Sequence, residues 1–376
     1  MNTTSRSTPS IDDMGQTPNQ TATPASVMKS TVAALLASGK GILAADESFP
    51  TIGKRFAALN IPSTEEQRQA YREMLFTVPG LGAYISGVIL FDETIREQIG
   101  DASIPEMLDR QNIVPGIKVD QGTTALAGFS GEKITLGLDG LRDRLVEYRN
   151  LGARFTKWRA VLAIGDRIPT LSCIKANADT LARFAALSQE AGLVPIVEPE
   201  VLMTGNHTLA RCEDVTYETL ECVFGALYRH QVAMEHMLLK TGMILSGSEC
   251  PQQAAPEEVA ETTLRCLRRT VHTAVPGIMF LSGGQSDLSA TERLNAICRL
   301  GGVPWKLSFS FGRALQDAAM KTWNGSGANV TMAQAVLLHR ARCNSLAVQG
   351  CYSASFEETA LDRLGSRVGF GQRIYQ

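Results

Sequence analysis

The sequence lacks the features that mark membrane-spanning, disulfide-rich and zinc-binding proteins. No apolar stretch in its 376 residues approaches the roughly 18 that a membrane helix requires. Its eight cysteines include no C-x-x-C pair, and none precedes Cys173, which argues against a disulfide framework and against a zinc site. The five histidines form no H-x-x-x-H or comparable set. We therefore expect a cytoplasmic protein with reduced thiols and no metal.

The charge balance argues against nucleic acid and membranes as partners, and the absence of glycine-rich nucleotide-binding motifs argues against nucleotides. Lysine and arginine number 36 against 38 for aspartate and glutamate, so there is no overall basic field and no polybasic patch. No G-x-G-x-x-G follows the first predicted strand, and G-x-x-x-x-G-K-[ST] does not occur. A small molecule is the expected partner, and no cofactor is expected.

The two ends of the chain are predicted to lie outside the folded domain. The first 25 residues are rich in Ser, Thr, Pro, Asn and Gln, with neither a secretory apolar core nor a transit-peptide charge pattern. We expect residues 1–25 to form a disordered tail, residues 26–350 a single domain and residues 351–376 a carboxyl-terminal tail.

The domain is built from a repeated unit, a short apolar run followed by an amphipathic stretch. Capping patterns at Ser63 with Glu66 and at Ser289 with Glu292 mark the starts of two helices. The runs that predict strands are 41–46, 84–91, 116–120, 153–159, 193–200, 236–240, 277–282 and 306–310. Eight such units predict a single α/β barrel of the (β/α)8 TIM type. An open doubly wound sheet gives the same alternation, but its ligand fingerprint is missing.

Charged residues occur at the carboxyl ends of five predicted strands, where barrels of this type carry their reactive groups. Alternate strand residues share a face, so both members of a pair two residues apart can point into the barrel mouth. The charged residues are Asp46, Lys118, Lys157, Arg159, Glu198, Glu200 and Lys240. Each one alone is typical of a solvated strand end. As a set they indicate a site, or alternatively a structural network of ion pairs.

The loops after the last two predicted strands have the composition of a phosphate site. LSGGQS (281–286) and SFSFGRALQ (308–316) combine glycine, serine and arginine just before helices. Backbone N–H groups, a helix start and the guanidinium of Arg313 together suit a phosphate dianion. Barrels often place phosphate after strands seven and eight.

Lys240 ends the apolar run HMLLK, where a lysine is costly unless it is paired or used. A neutral lysine amine attacks a ketone to give a carbinolamine and then an iminium, an electron sink for cleavage of an adjacent carbon bond. Burial and a neighbouring cation such as Lys157 both favour the neutral amine. Lys157 itself can stay protonated by pairing with a carboxylate.

These residues stand in segments that resemble the class I fructose-bisphosphate aldolases, the metal-independent kind. The resemblance runs from about Met28 to Leu346 and is carried by KGILAADES, YISGVILFDET, NIVPGIKVD, GARFTKWR, GLVPIVEPE, LLKTGM, VPGIMFLSGGQS and FSFGRALQ. It implies reversible cleavage of fructose 1,6-bisphosphate to dihydroxyacetone phosphate and glyceraldehyde 3-phosphate, without cofactor. It also implies a homotetramer.

The resemblance implies a role for each matching residue. Lys240 forms the Schiff base, Glu198 carries the proton for carbinolamine dehydration with help from Lys157 and Glu200, and Asp46 takes the proton from the hydroxyl on carbon 4. The residues implied at the carbon 1 phosphate are Ser282, Gly283, Ser310, Gly312 and Arg313. Those implied at the other end of the substrate are Lys118, Arg159, Arg55, Ser48 and Thr51.

The sequence departs from the family pattern at three places. Thr241 and Gly242 stand where the family usually has Pro-Asn, and we expect a more mobile loop there. Gln121 replaces a common lysine and removes a positive charge near a phosphate. Tyr375 is not terminal, although the family commonly ends in a tyrosine that assists proton transfer.

Two other functions compete with this interpretation. The same chemistry could act mainly on sedoheptulose bisphosphate, which relative rates with the two substrates would distinguish. A non-catalytic scaffold could use the barrel to bind a protein, although intact Asp46, Lys157, Glu198 and Lys240 argue against lost activity.

Overall fold

Eight parallel strands close into a barrel in chain order. The computed structural model describes Met1 and residues 23–357, so the predictions for residues 2–22 and 358–376, including Tyr375, lie outside the described residues. The barrel strands are β1 (Gly41–Ala45), β2 (Ile85–Leu90), β3 (Val114–Lys118), β4 (Phe155–Leu162), β5 (Val194–Val201), β6 (Leu238–Thr241), β7 (Gly277–Phe280) and β8 (Lys306–Phe311). Strand β8 returns to β1, pairing Ser310 with Ile42. The (β/α)8 barrel prediction is confirmed.

Helices surround the strands and cover one end of the barrel. They are α1 (Pro24–Leu35), α2 (Phe49–Ala57), α3 (Glu65–Phe76), α4 (Asp92–Ile95), α5 (Ile104–Arg110), α6 (Leu141–Asn150), α7 (Leu171–Glu190), α8 (Leu209–Arg229), α9 (Pro256–Thr270), α10 (Asp287–Leu300), α11 (Arg313–Trp323) and α12 (Val330–Val348). Short 3₁₀ turns occupy Leu81–Ala83, Met234–His236 and Gly327–Asn329. Two hairpins pair Gln98–Ile99 with Ala102–Ser103 and Thr123–Ala125 with Lys133–Thr135. Within residues 23–357, no helix combines the length and apolar character needed to cross a bilayer.

Both predicted helix caps are displaced from their positions in the structure. Helix α3 is capped by Thr64, whose Oγ1 accepts a hydrogen bond from the backbone N–H of Gln67 at 3.3 Å, not by Ser63. Helix α10 is capped by Ser286, and Ser289 lies inside the helix. Both regions offer more than one Ser or Thr, and the cap is the one with an extended backbone immediately before the first helical residue.

Helix α1 closes the amino-terminal end of the barrel because two strands carry glycine beneath it. A Cβ atom at Gly277 would lie 2.3 Å from Leu36, and one at Gly87 would lie 2.6 Å from Leu35. Real Cβ atoms do not approach other heavy atoms this closely, so any larger residue would push the helix away. The barrel interior next to this helix is apolar, with Ile42, Ala44, Ile89, Phe155, Val194, Ile196, Leu238 and Met279 in one buried cluster.

The interior face changes from apolar to charged towards the carboxyl ends of the strands. Side chains alternate along a strand, so the interior face of β4 continues from Phe155 to residues 157 and 159, and that of β5 from Ile196 to residues 198 and 200. On β6, residue 240 likewise lies on the same interior face as Leu238, two positions before it. The charged residues at the strand ends therefore share one barrel mouth.

Candidate active site

Two buried lysines and a shared carboxylate form the centre of the barrel mouth. The Nζ atom of Lys157 lies 2.6 Å from Asp46 Oδ2, 3.4 Å from Glu198 Oε2 and 3.8 Å from Asp120 Oδ2. The Nζ atom of Lys240 lies 2.9 Å from Glu198 Oε1. Lys157, Glu198 and Lys240 each expose less than a twentieth of their surface. Glu198 therefore bridges the two lysines.

The groups in this cluster balance one another in charge. Three amines (Lys118, Lys157 and Lys240) face three carboxylates (Asp46, Asp120 and Glu198). Burying unpaired charges costs several kcal/mol per ion, so this balance lets the cluster exist in a dry site. Transfer of a proton from Lys240 to Glu198 leaves the net charge unchanged. The cluster can therefore hold a neutral amine without creating a buried net charge.

Asp46 and Lys157 keep their charges in this environment. Burial alone would raise the pKa of Asp46, but the positive charges of Lys157 and Lys240 and the hydrogen bond from Lys157 outweigh it and lower the pKa to about 2. Burial would likewise lower the pKa of Lys157, but Asp46, Glu198 and Asp120 outweigh it and raise the pKa. A carboxylate that is ionised at neutral pH thus lies beside a fixed ammonium group.

Glu200 and Arg159 form a separate pair further towards solvent. The Nε atom of Arg159 lies 2.5 Å from Glu200 Oε2, and the Arg159 side chain is 42% exposed. Burial of the guanidinium would lower the pKa of Arg159, but Glu200 raises it. No hydrogen bond or ion pair within residues 23–357 joins Glu200 to Lys157 or Lys240. Glu200 shares the mouth but not the central contacts.

Asp120 belongs to the centre, although the sequence analysis did not single it out. Its Oδ1 lies 2.6 Å from Lys118 Nζ, and its oxygens accept from the backbone N–H groups of Gly122 and Arg159, each at 3.3 Å. Asp120 is the last residue of the predicted strand 116–120. The rule that charges gather at strand ends would have found it.

Arg55 lies on α2, where it is held by carboxylates of the protein. It pairs with Glu47 and, at 2.8 Å, with Asp317 Oδ1. Glu47 also pairs with Arg72 at 2.7 Å, and its pKa is lowered because the two arginines outweigh the effect of burial. The sequence analysis missed Glu47. Its neighbours come from two other helices, and no sequence spacing connects them.

Ser48 and Thr51 lie at the start of α2, beside Arg55. Ser48 precedes the helix as its cap residue, and its Oγ lies 3.2 Å from Thr51 Oγ1. Arg55 follows one turn further along the same helix. The start of α2 thus presents two hydroxyls and a guanidinium together.

The residues that the sequence analysis predicted to bind a phosphate come together where the loop after β7 meets the start of α11. Arg313, the first residue of α11, donates from Nη2 to the backbone carbonyl of Gly283 in the loop after β7. Gly283 has φ +57°, a conformation that other residues rarely adopt. Gly312 precedes the helix, and Ser282 is buried next to Gly283. The two loops therefore form one site with a helix start, backbone N–H groups and an exposed guanidinium.

Two buried oxygen atoms at the mouth have no hydrogen-bond partner among residues 23–357. They are Glu198 Oε2, which has only its 3.4 Å ion pair with Lys157, and Ser310 Oγ on a residue that is 1% exposed. Buried polar atoms are nearly always paired, so an unpaired oxygen at the mouth of the barrel is available to a bound molecule or to water. One orphan lies in the lysine cluster and the other on β8, next to the phosphate-type loops.

A buried lysine against a carboxylate at the mouth of a (β/α)8 barrel suits a lyase that acts through a Schiff base. The family model described as fructose-bisphosphate aldolase class-I matches residues 27–365. The chain belongs to the class I fructose-bisphosphate aldolase family.

Individual relatives agree with this assignment over most of the chain. A probable fructose-bisphosphate aldolase class 1 from Xanthomonas axonopodis pv. citri is 54% identical over 85% of this chain and 96% of its own. The cytosolic fructose-bisphosphate aldolase 6 of Arabidopsis thaliana is 52% identical over 84% of this chain and 88% of its own. The fructose-bisphosphate aldolase of Plasmodium falciparum, solved with TRAP and a small-molecule inhibitor, has TM-score 0.86 and 47% identity over 88% of this chain and 96% of its own.

Membership of this family defines the reaction that the chain catalyses. The chain is a lyase that cleaves fructose 1,6-bisphosphate reversibly to dihydroxyacetone phosphate and glyceraldehyde 3-phosphate through a lysine Schiff base. The alternative of a main activity on sedoheptulose bisphosphate finds no support in these relatives.

Proposed function

We propose that Lys240 is the Schiff-base lysine and that Glu198 carries the protons of this step. The observation that supports this most directly is the bridging position of Glu198. Its Oε1 lies 2.9 Å from the Lys240 amine, and its Oε2 lies 3.4 Å from the Lys157 amine. Glu198 can take the proton that frees the amine and then give that same proton to the carbinolamine hydroxyl, which leaves as water as the iminium forms.

Asp46 is proposed to receive the proton from the hydroxyl on carbon 4 while the bond between carbons 3 and 4 breaks. The electron pair of that bond moves into the iminium on Lys240 and gives an enamine. Asp46 is ionised, with a pKa of about 2, and Lys157 holds it at 2.6 Å. The fixed ammonium of Lys157 keeps the carboxylate aimed into the cleft and stabilises charge that develops there. Glu200 assists from the rim through its pair with Arg159.

Two groups of residues are proposed to bind the phosphates at the ends of the substrate. The carbon 1 phosphate is assigned to Ser282, Gly283, Ser310, Gly312 and Arg313, and the other phosphate to Lys118, Arg159, Arg55, Ser48 and Thr51. The orphaned hydroxyl of Ser310 and the exposed guanidinium of Arg313 support the first group. In the second group, Arg55 is paired with Glu47 and Asp317, so a phosphate there has to share it with those carboxylates. Anchoring both ends orients the central carbon bond.

Replacing Lys240 by alanine tests this proposal. We expect turnover of fructose 1,6-bisphosphate, assayed with EDTA present, to be abolished while the circular dichroism spectrum and the unfolding midpoint stay near those of the wild type. Lys306→Ala is the matched control, because Lys306 is a strand lysine at the amino-terminal end of the barrel. It should retain turnover within about twofold. Retained turnover in Lys240→Ala contradicts the assignment, and its global unfolding would instead support a structural ion-pair network.

We further propose a homotetramer in the cytoplasm, with residues 26–350 as one barrel domain, residues 1–25 as an amino-terminal tail whose last two residues join α1, and residues 351–376 as a carboxyl-terminal tail whose first residues pack against α12. The tetramer rests on the family resemblance. The location is supported by relatives named as cytosolic. Light scattering coupled to size-exclusion chromatography measures the number of chains in the oligomer, and fractionation of the source cells tests the cytoplasmic location.

A further inference from the structure

A second cluster of reactive side chains lies on α12 and the segment that follows it. His339 and Cys343 are one helical turn apart, and the chain then returns so that Glu357 faces both of them. The Nε2 atom of His339 lies 3.0 Å from Glu357 Oε2 and 3.5 Å from Cys343 Sγ. The three ligand-type atoms all lie within 4.8 Å of one another.

These distances fit a tetrahedral metal ion. Zinc binds imidazole nitrogen at about 2.0–2.1 Å, thiolate sulfur at about 2.3 Å and carboxylate oxygen at about 2.0–2.2 Å. Tetrahedral angles then separate nitrogen and sulfur by about 3.5 Å, and nitrogen and oxygen by about 3.4 Å. The corresponding distances here are 3.5 Å and 3.0 Å. The third pair, the Cys343 sulfur and a Glu357 carboxylate oxygen, lies within 4.8 Å, so these two side chains have to close around the ion for all three to bind it.

The carboxylate of this cluster is held as a metal-binding carboxylate usually is. Tyr352 donates its hydroxyl to Glu357 Oε1 at 2.9 Å, and Arg340 pairs with the same oxygen. Oε2 is thereby aimed at His339 and Cys343. Hydrogen bonds to the outer oxygen of a ligand fix its orientation and tune its affinity. Arg340, which is 1% exposed, is itself fixed by a 2.7 Å bond to Thr291 on α10.

The cluster leaves room for a solvent ligand and is separate from the barrel mouth. Cys343 is buried, whereas the side chains of His339 and Glu357 are 19% and 13% exposed. Water can therefore reach the fourth coordination position. In residues 23–357 none of the three side chains is hydrogen-bonded or ion-paired to a residue of the lysine cluster.

We propose that His339, Cys343 and Glu357 bind a divalent transition-metal ion of the zinc type, with water as the fourth ligand. Binding releases the thiol proton of Cys343 and fastens residues 351–357 to α12. A His, Cys and carboxylate set prefers Zn²⁺ over Mg²⁺ or Ca²⁺, because the thiolate is soft. The ion has no part in the Schiff-base chemistry, so the reaction stays metal-independent. Residues 339–343 form an H-x-x-x-C pattern, which the spacing between histidines alone does not reveal.

Cobalt binding to the full-length protein, stripped of metal, tests this proposal. Co²⁺ bound tetrahedrally by a thiolate gives intense visible bands and a sulfur-to-cobalt charge-transfer band in the near ultraviolet. We expect one equivalent of Co²⁺ per chain to produce these bands and Zn²⁺ to displace it. Cys343→Ser should abolish the charge-transfer band, and His339→Ala should weaken binding at least tenfold. Turnover of both variants should match the wild type, which also reports that they fold.

Cys351→Ser is the matched control, because Cys351 is exposed and lies outside the cluster. It should keep the full cobalt spectrum. Glu357→Gln provides a second test that does not depend on the cysteine, since the amide preserves size and should still weaken binding at least tenfold. The proposal is overturned if a large excess of Co²⁺ gives no charge-transfer band, or if the band persists in Cys343→Ser. Either result would leave the three side chains as a hydrogen-bonded cluster only.

Discussion

Replacing Glu198 by glutamine removes one proton-carrying carboxylate and changes almost no volume. The amide can still accept from Lys240 at the 2.9 Å position of Oε1, but it can neither take a proton from that amine nor give one to a carbinolamine. General acid–base groups contribute about 10²–10⁴-fold, so kcat should fall by that factor. The change also takes a negative charge away from two lysines. Asp46 and Asp120 still face Lys157, so we expect a loss of about 1–3 kcal/mol in unfolding free energy.

Glu200→Gln is the matched comparison, since it removes a carboxylate from the same face of the same strand. Glu200 pairs with Arg159 and with neither lysine, so kcat should fall no more than about tenfold. Steady-state cleavage of fructose 1,6-bisphosphate gives kcat and KM for both variants, and urea unfolding gives their stability. A larger loss of kcat in Glu200→Gln would transfer the proton-carrying role to Glu200. Unchanged kcat in Glu198→Gln would refute the reasoning.

Two further predictions concern Asp46 and Ser310. The pKa of Asp46, about 2 in the fold against an ordinary 3.8, contributes about 2 kcal/mol of stability above pH 4, which is lost as pH falls through about 2. The stability gap between wild type and Asp46→Asn in urea unfolding should therefore narrow from pH 6 to pH 3, and a constant gap would contradict this. Ser310→Ala removes a buried hydroxyl without a partner among residues 23–357, so stability should change by less than about 1 kcal/mol while KM rises about tenfold. Lost stability with unchanged KM would show that the hydroxyl serves the fold.

The sequence predicted the barrel because the barrel imposes two strong periodicities. Each strand is buried on both faces and reads as an apolar run, and each helix shows its own spacing. The period of two along a strand also predicts that residues 157 and 159 share one face with Phe155. The role of the glycines at 87 and 277 could not be predicted from these periodicities, because it depends on Leu35 and Leu36 at the end of α1, which lie far from them in sequence.

The contacts between different helices and strands could not be predicted from the spacing of residues in the sequence. The strand-end rule identified Lys157, but it could not show that Asp46, directly after β1, is its nearest carboxylate at 2.6 Å and that Glu198 is further away at 3.4 Å. Glu47 pairs with Arg72 across 25 positions, and this pairing follows from how α3 packs. The helix caps failed by one to three residues because neighbouring hydroxyl residues have similar capping preferences.

Trapping of the covalent intermediate tests the central assignment most directly. The full-length protein is incubated with dihydroxyacetone phosphate and EDTA, reduced with borohydride and digested, and the modified peptide is identified by mass spectrometry. We predict one reduced adduct per chain, on Lys240, and none in Lys240→Ala. An adduct on Lys157 or another lysine, or undiminished labelling of Lys240→Ala, would contradict the account.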